Sequence, residues 1–208
     1  MIEVDLIIPG YSRDAHKSAS LLKEALEEQG RKVVVIDVFK KERTKWLFKK
    51  TLLTAEDHTS AVNTAETELE WLKRIKINTI YTHSYGIVSI LAPSLDADRY
   101  VFIAPPLGKV HYKPLEKIFG FLPGFQELKN GTLQAKLFQE LYFLKTSKKE
   151  IIFYVSCFDK KADYGDERVN YPAPIFRKMV NIGKIKISYG ASHKDYMRDE
   201  NIIKDIIH

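Results

Sequence analysis

Ile80-Tyr81-Thr82-His83-Ser84-Tyr85-Gly86-Ile87-Val88-Ser89-Ile90-Leu91 is the stretch on which the reading of this chain turns. A β-branched and aromatic run leads into small and polar residues, and a short apolar helical run follows. This pattern predicts a strand over Thr79–Thr82, a sharp bend at Ser84, and a helix that Pro93 ends. Such a bend holds its residue at the carboxyl edge of a sheet. There the orphan N–H groups of the helix favour negative charge.

Working outward, strand and helix patterns alternate. Val4–Pro9, apolar but for Asp5, reads as a strand covered on both faces. The turn Pro9-Gly10-Tyr11-Ser12-Arg13 precedes a helix over 14–29, with Gly30 as its left-handed C-terminal cap. Val33–Val38 is a second strand, and helical spacing resumes over 61–74. Beyond the bend, Arg99–Ala104 is a fourth strand closed by Pro105-Pro106, and residues 132–145 form a helix. Glu150–Val155 and Lys184–Ser188 are the fifth and sixth strands, and 199–208 a closing helix. The alternation predicts a single-domain α/β fold over 1–208: three layers, α/β/α, around a mainly parallel six-stranded sheet. Residues 107–129, rich in Pro, Gly and aromatics, form an insert expected to cap the site or to pack on itself.

Composition narrows the function. The 208 residues are 45% hydrophobic and 29% charged, ordinary for a globular chain. No apolar run approaches the ~18–20 residues of a membrane-spanning helix. The start shows no leader pattern, so a cytoplasmic location is expected. Cys157 is the single cysteine, which excludes an intrachain disulfide and argues against a cysteine-built metal site. The +6 net charge is spread along the chain, and nucleic-acid binding is not expected. Between Lys40 and Lys50, lysines surround Trp46, Leu47 and Phe48. That segment reads as a solvated basic loop, or as an interfacial anchor. One glycine in the first turn is too few for a dinucleotide fingerprint, and no G-K-[ST] is present. No cofactor or metal is expected.

Ligands of such sheets bind beyond the carboxyl ends of the strands. Gly10 and Tyr11 follow the first strand, Ser84 and Tyr85 the third, Asp159 the fifth and His193 the sixth. Serine, acid and histidine form a nucleophilic trio because an imidazole must take the hydroxyl proton and a carboxylate must orient the imidazole. Ser84 is also readable as a simple helix N-cap. Asp159, Asp163 and Asp166 share one loop, with Asp159 nearest the strand end. His83 adjoins Ser84, but neighbours on a strand point to opposite faces, so it is read as packing under the bend.

These residues resemble the α/β-hydrolase superfamily, whose nucleophile elbow reads G-x-S-x-G and whose triad runs serine, acid, histidine. The resemblance spans nearly the whole chain. Pro9-Gly10-Tyr11 is similar to the oxyanion-hole loop, Ser156-Cys157-Phe158-Asp159 to the acid position, and Ala191-Ser192-His193 to the base position. Thr82 stands where the elbow's first glycine would be, and its Cβ and methyl are expected to crowd the strand–helix crossing. The sequence starts at what would be the third strand of the full fold, which implies a trimmed version. The resemblance implies Ser84 as nucleophile, His193 as base, Asp159 as orienting acid, and the N–H groups of Tyr11 and Tyr85 as oxyanion donors. It implies a serine hydrolase acting on a small-molecule ester or thioester. The alternative is a hydrolase-like scaffold that binds without turnover. The oligomeric state is not assigned.

Overall fold

The computed structural model describes residues 3–10, 15–39, 55–70, 75–110, 132–157, 164–165, 169–193 and 195–208. The strands are β1 (Glu3–Ile8), β2 (Val33–Val35), β3 (Lys76–His83), β4 (Arg99–Ile103), β5 (Lys109–Val110), β6 (Glu150–Cys157), β7 (Val169–Asn170) and β8 (Lys184–Tyr189). The α-helices are α1 (Ala15–Glu28), α2 (Ala55–Glu70), α3 (Thr132–Thr146), α4 (Ala173–Ile182) and α5 (Glu200–Ile207). Six strands form one sheet in the order β2-β1-β3-β4-β6-β8, with every pairing parallel. β5 and β7 form a separate two-stranded antiparallel ribbon.

The period-2 rule sorts the strand side chains between two cores. On one face Leu6, Ile8, Ile80, Phe102 and Phe153 pack with Ala61 and Ala65 of α2, Leu137 and Leu141 of α3, and Met179 of α4. On the other, Ile7, Tyr81, Val101, Ile152 and Tyr154 meet Leu22 and Leu26 of α1 and Ile203 and Ile206 of α5. Both faces are covered, which is why these strands read as largely apolar runs, with Asp5, Thr79 and Thr82 as buried polar exceptions. Among the described residues no helix is long and apolar enough to cross a membrane.

Local signals hold where their chemistry is strong. Gly30 has φ 76°. Its N–H donates to the Glu27 carbonyl at 2.8 Å while Arg31 N–H donates to Leu26 at 3.2 Å, the paired bonds of a Schellman motif. Asp199 caps α5 by accepting from the N–H groups of Asn201 and Ile202 at 2.8 and 3.3 Å.

Several boundaries differ from the sequence expectation. β2 stops at Val35, after which Asp37 Oδ1 accepts the Phe39 N–H at 3.1 Å and turns the chain. β3 begins three residues earlier than predicted, and β6 extends to Cys157. The sequence reading placed no helix at α4, where Pro172 and Pro174 suggest a loop. Proline is tolerated in a first helical turn, and Ile175, Phe176, Met179 and Ile182 supply the buried stripe. The ribbon of β5 and β7 was likewise not predicted. The bulk of the 107–129 insert and the whole 40–50 segment lie outside the described residues.

One polar cluster is buried under the second core. Asp5, 2% exposed, meets Arg31 Nε at 2.5 Å. The Arg31 guanidinium also donates to the Tyr81 hydroxyl at 2.9 Å and to Thr79 Oγ1 at 3.2 Å. Desolvation pushes the Asp5 carboxyl above the usual range, with Arg31 opposing it, and burial likewise raises the Tyr81 phenol.

Candidate active site

From β1 the chain moves outward to β2, then returns to the other side of β1 to form β3. Strand order therefore reverses between β1 and β3, and the crevice beyond their carboxyl ends is where open parallel sheets bind ligands. Gly10 follows β1 and Ser84 follows β3, so both border that crevice.

β3 keeps its register to the end: Thr82 pairs with Ile8 and Phe102, and His83 with Ile103. The backbone then breaks abruptly. His83 is extended, at φ −114° and ψ 133°, whereas Ser84 has φ 52° and begins a 3₁₀ helix, Ser84–Leu91. A side chain in this left-handed region costs about 1–2 kcal/mol, and such strain gathers at functional sites. The N-cap of this helix is His83 and not Ser84, and no side chain caps it. The plain capping role considered for Ser84 is therefore not the one it has. The sequence predicted an apolar helix here. Its 3₁₀ form, eight residues long, is a tight and uncommon geometry.

Two glycines make the bend possible. A Cβ on Gly86 would fall 2.3 Å from the Ile8 carbonyl oxygen, so the elbow helix crosses β1 in near backbone contact. A Cβ on Gly10 would lie 2.7 Å from the His83 carbonyl oxygen and 2.8 Å from the Ser84 Cβ. The turn after β1 is thus pressed against the nucleophile candidate. Thr82, expected to crowd the crossing, instead sits in regular register and is 1% exposed. Among the described residues its Oγ1 has no hydrogen-bond partner, a burial costing about 1–3 kcal/mol. A second strained residue, Ala104 with φ 45°, ends the neighbouring strand β4.

β6 and β8 deliver the other candidates. Cys157 pairs with Tyr189, so both strands end at one level, ~4.8 Å apart. Beyond Cys157 the chain re-enters at Tyr164, which bridges back to Cys157, and Gly165 N–H donates to the Ser156 carbonyl at 2.7 Å. Tyr164 stacks on Phe176 of α4 with ring centroids 3.7 Å apart. Asp159, Asp163 and Asp166 lie outside the described residues, as does Tyr11. Tyr85 is half-buried, directly after Ser84.

Beyond β8, Gly190 at φ 73° turns the chain toward His193, which is 6% exposed. The turn is closed locally by Asp195, whose Oδ2 accepts the Ser192 N–H at 2.7 Å. From the sheet, His83 Nε2 lies 3.1 Å from the His193 carbonyl oxygen, and the two rings are 5.0 Å apart, tilted by 42°. The structure brings Ser84 together with Gly10, and His193 together with the residue preceding Ser84. Sequence reasoning missed this link because it treated His83 only as packing, although the period-2 rule does send it to the face where the His193 turn arrives.

No family model matches the chain, and no curated protein matches it by sequence. Solved structures do resemble it. A structure from work on LipS and LipT, two metagenome-derived lipolytic enzymes, has TM-score 0.63 at 15% identity, covering 99% of this chain and 91% of that one. The monoacylglycerol lipase of Paleococcus ferrophilus has TM-score 0.60 at 13% identity, covering 99% and 93%. The peroxisomal alpha-beta-hydrolase Lpx1 of Saccharomyces cerevisiae has TM-score 0.55 at 12% identity, covering 99% and 75%. With its parallel sheet, its strained serine at the strand–helix bend and these structural neighbours, the chain has the α/β-hydrolase fold.

Proposed function

We propose that this protein is a serine hydrolase that cleaves a carboxylic ester or thioester through an acyl-enzyme. The observation that carries the reading is Ser84 at φ 52°, the first residue of a helix at the topological switch, with Gly10 and Gly86 packed against the bend. A serine used only as a cap needs no such backbone. The buried His193 on the turn after β8 supports a base. The loops after β6 and β8 leave adjacent strand ends, which supports an acid from the first orienting a histidine on the second.

In this mechanism Ser84 Oγ attacks the acyl carbon while His193 takes its proton. Asp159 holds the imidazole in the required tautomer, with Asp163 and Asp166 as the alternatives in the same stretch. The N–H groups of Tyr85 and Tyr11 receive the developing oxyanion, each worth about 2.7–4 kcal/mol of transition-state stabilisation. The imidazolium then returns its proton to the leaving oxygen or sulfur. Water, activated by His193, releases the acid. The fold-sharing lipases support an acyl substrate.

A fluorophosphonate probe tests the proposal directly. Labelling of the wild type, absent in Ser84→Ala, together with hydrolysis of short-chain p-nitrophenyl esters, is the expected result. A wild type that neither labels nor hydrolyses such esters overturns the enzyme reading and leaves a binding scaffold.

A further inference from the structure

Between the nucleophile candidate and the base candidate stands His83, to which the hydrolase mechanism assigns nothing. We propose that His83 is a positioning residue that anchors the His193 turn to the elbow, and this rests on the serine-hydrolase reading of Ser84 and His193.

The geometry is specific. A carbonyl oxygen only accepts, so the 3.1 Å contact between His83 Nε2 and the His193 carbonyl requires the proton on Nε2. That bond joins residues 110 apart in sequence. β3 and β8 are separated in the sheet by β4 and β6, three spacings or ~14 Å. From Tyr189 to His193 the chain reaches ~14 Å at most. The turn after β8 therefore crosses beyond the ends of β6 and β4, where the His83 side chain meets it.

Asp195 shapes the turn from within, and His83 ties it to the strand that carries Ser84. Fixing the His193 carbonyl restricts the backbone torsion that aims the imidazole. The tilted ring contact at 5.0 Å supports the imidazole itself. The His83 carbonyl faces Gly10, so this one residue adjoins the nucleophile, the base and the turn after β1. Displacing a reacting group by about 1 Å costs on the order of 10²-fold in rate.

Two variants separate donor from bulk. His83→Phe keeps a ring and removes the donor; His83→Gln keeps an N–H donor at similar reach and removes the ring. With p-nitrophenyl acetate, His83→Phe is expected to lower kcat ~10–100-fold with KM changed less than about 2-fold, and His83→Gln to recover most of that loss. Hydrogen exchange of the 190–195 segment is expected to quicken in His83→Phe and to return toward wild type in His83→Gln. In the unaltered protein, ¹⁵N-histidine NMR is expected to find His83 protonated at Nε2. Wild-type kcat and exchange in His83→Phe, equal losses in both variants, or an Nδ1–H tautomer for His83 would each overturn the proposal. If the wild type has no esterase activity, the hydrolase reading falls. The exchange and tautomer measurements then still decide whether His83 anchors the turn.

Discussion

Gly86→Ala is the sharpest perturbation of the elbow, because the clash it creates is entirely with backbone. The new Cβ would meet the Ile8 carbonyl oxygen at 2.3 Å, the Ile8 carbonyl carbon at 3.1 Å and the Pro9 carbonyl oxygen at 3.2 Å. Ile8 is paired to Thr82 inside the sheet and cannot yield, so the elbow helix must lift by about 1 Å to restore ordinary contact. Overpacking of this kind costs about 1–3 kcal/mol. In a domain of this size that lowers Tm by ~2–12 °C. Because Ser84 is the first residue of the displaced helix, kcat is expected to fall ~10²-fold, measured on a short-chain p-nitrophenyl ester well below Tm. Gly30→Ala is the matched control. Nothing lies within 4 Å of its Cβ, but φ is 76°, so it should lose about 1–2 kcal/mol with kcat unchanged. Full kcat in Gly86→Ala, or the same kcat change in both variants, would refute the reasoning.

Other expectations follow from single interactions. Asp199→Ala removes the cap of α5 and should cost about 1 kcal/mol, seen as a Tm drop of ~2–4 °C; an unchanged Tm would mean the capping bonds contribute nothing net. The folded-state pKa of Asp5 is raised above its unfolded value, so its contribution is present at low pH and is lost as pH rises through the folded pKa. Urea midpoints just above the ordinary aspartate range should therefore fall with rising pH more steeply in wild type than in Asp5→Asn, and parallel slopes would contradict the raised pKa. Asp159→Asn should abolish most esterase activity while Asp163→Asn and Asp166→Asn reduce it little. The reverse pattern would move the acid to another position without disturbing the fold.

Much of the fold was legible because its signals are local. Apolar runs such as Leu6–Ile8 and Ile151–Val155 mark strands covered on both faces, and Gly30 and Asp199 declare helix ends through their own backbone chemistry. α4 was hidden because Pro172 and Pro174 mimic a loop, and β2 was overextended because Ile36 and Val38 are buried beyond the strand's end, the Ile36 N–H still donating to the Ile7 carbonyl of β1. Ser84 and His193 could be nominated by their order after successive strands. Their surroundings could not.

By itself the sequence determined that strands and helices alternate, that a serine stands at a strand–helix bend, and that a histidine follows the last strand. Those properties depend on residues a few positions apart. Only the tertiary structure decided the strand order that places Gly10 beside Ser84, the positive φ of Ser84, and the bond from His83 to a carbonyl 110 residues away. Each of these is set by which strands become neighbours. The free energy of that choice comes from burying two apolar faces at once, a sum over the whole chain that no short stretch encodes.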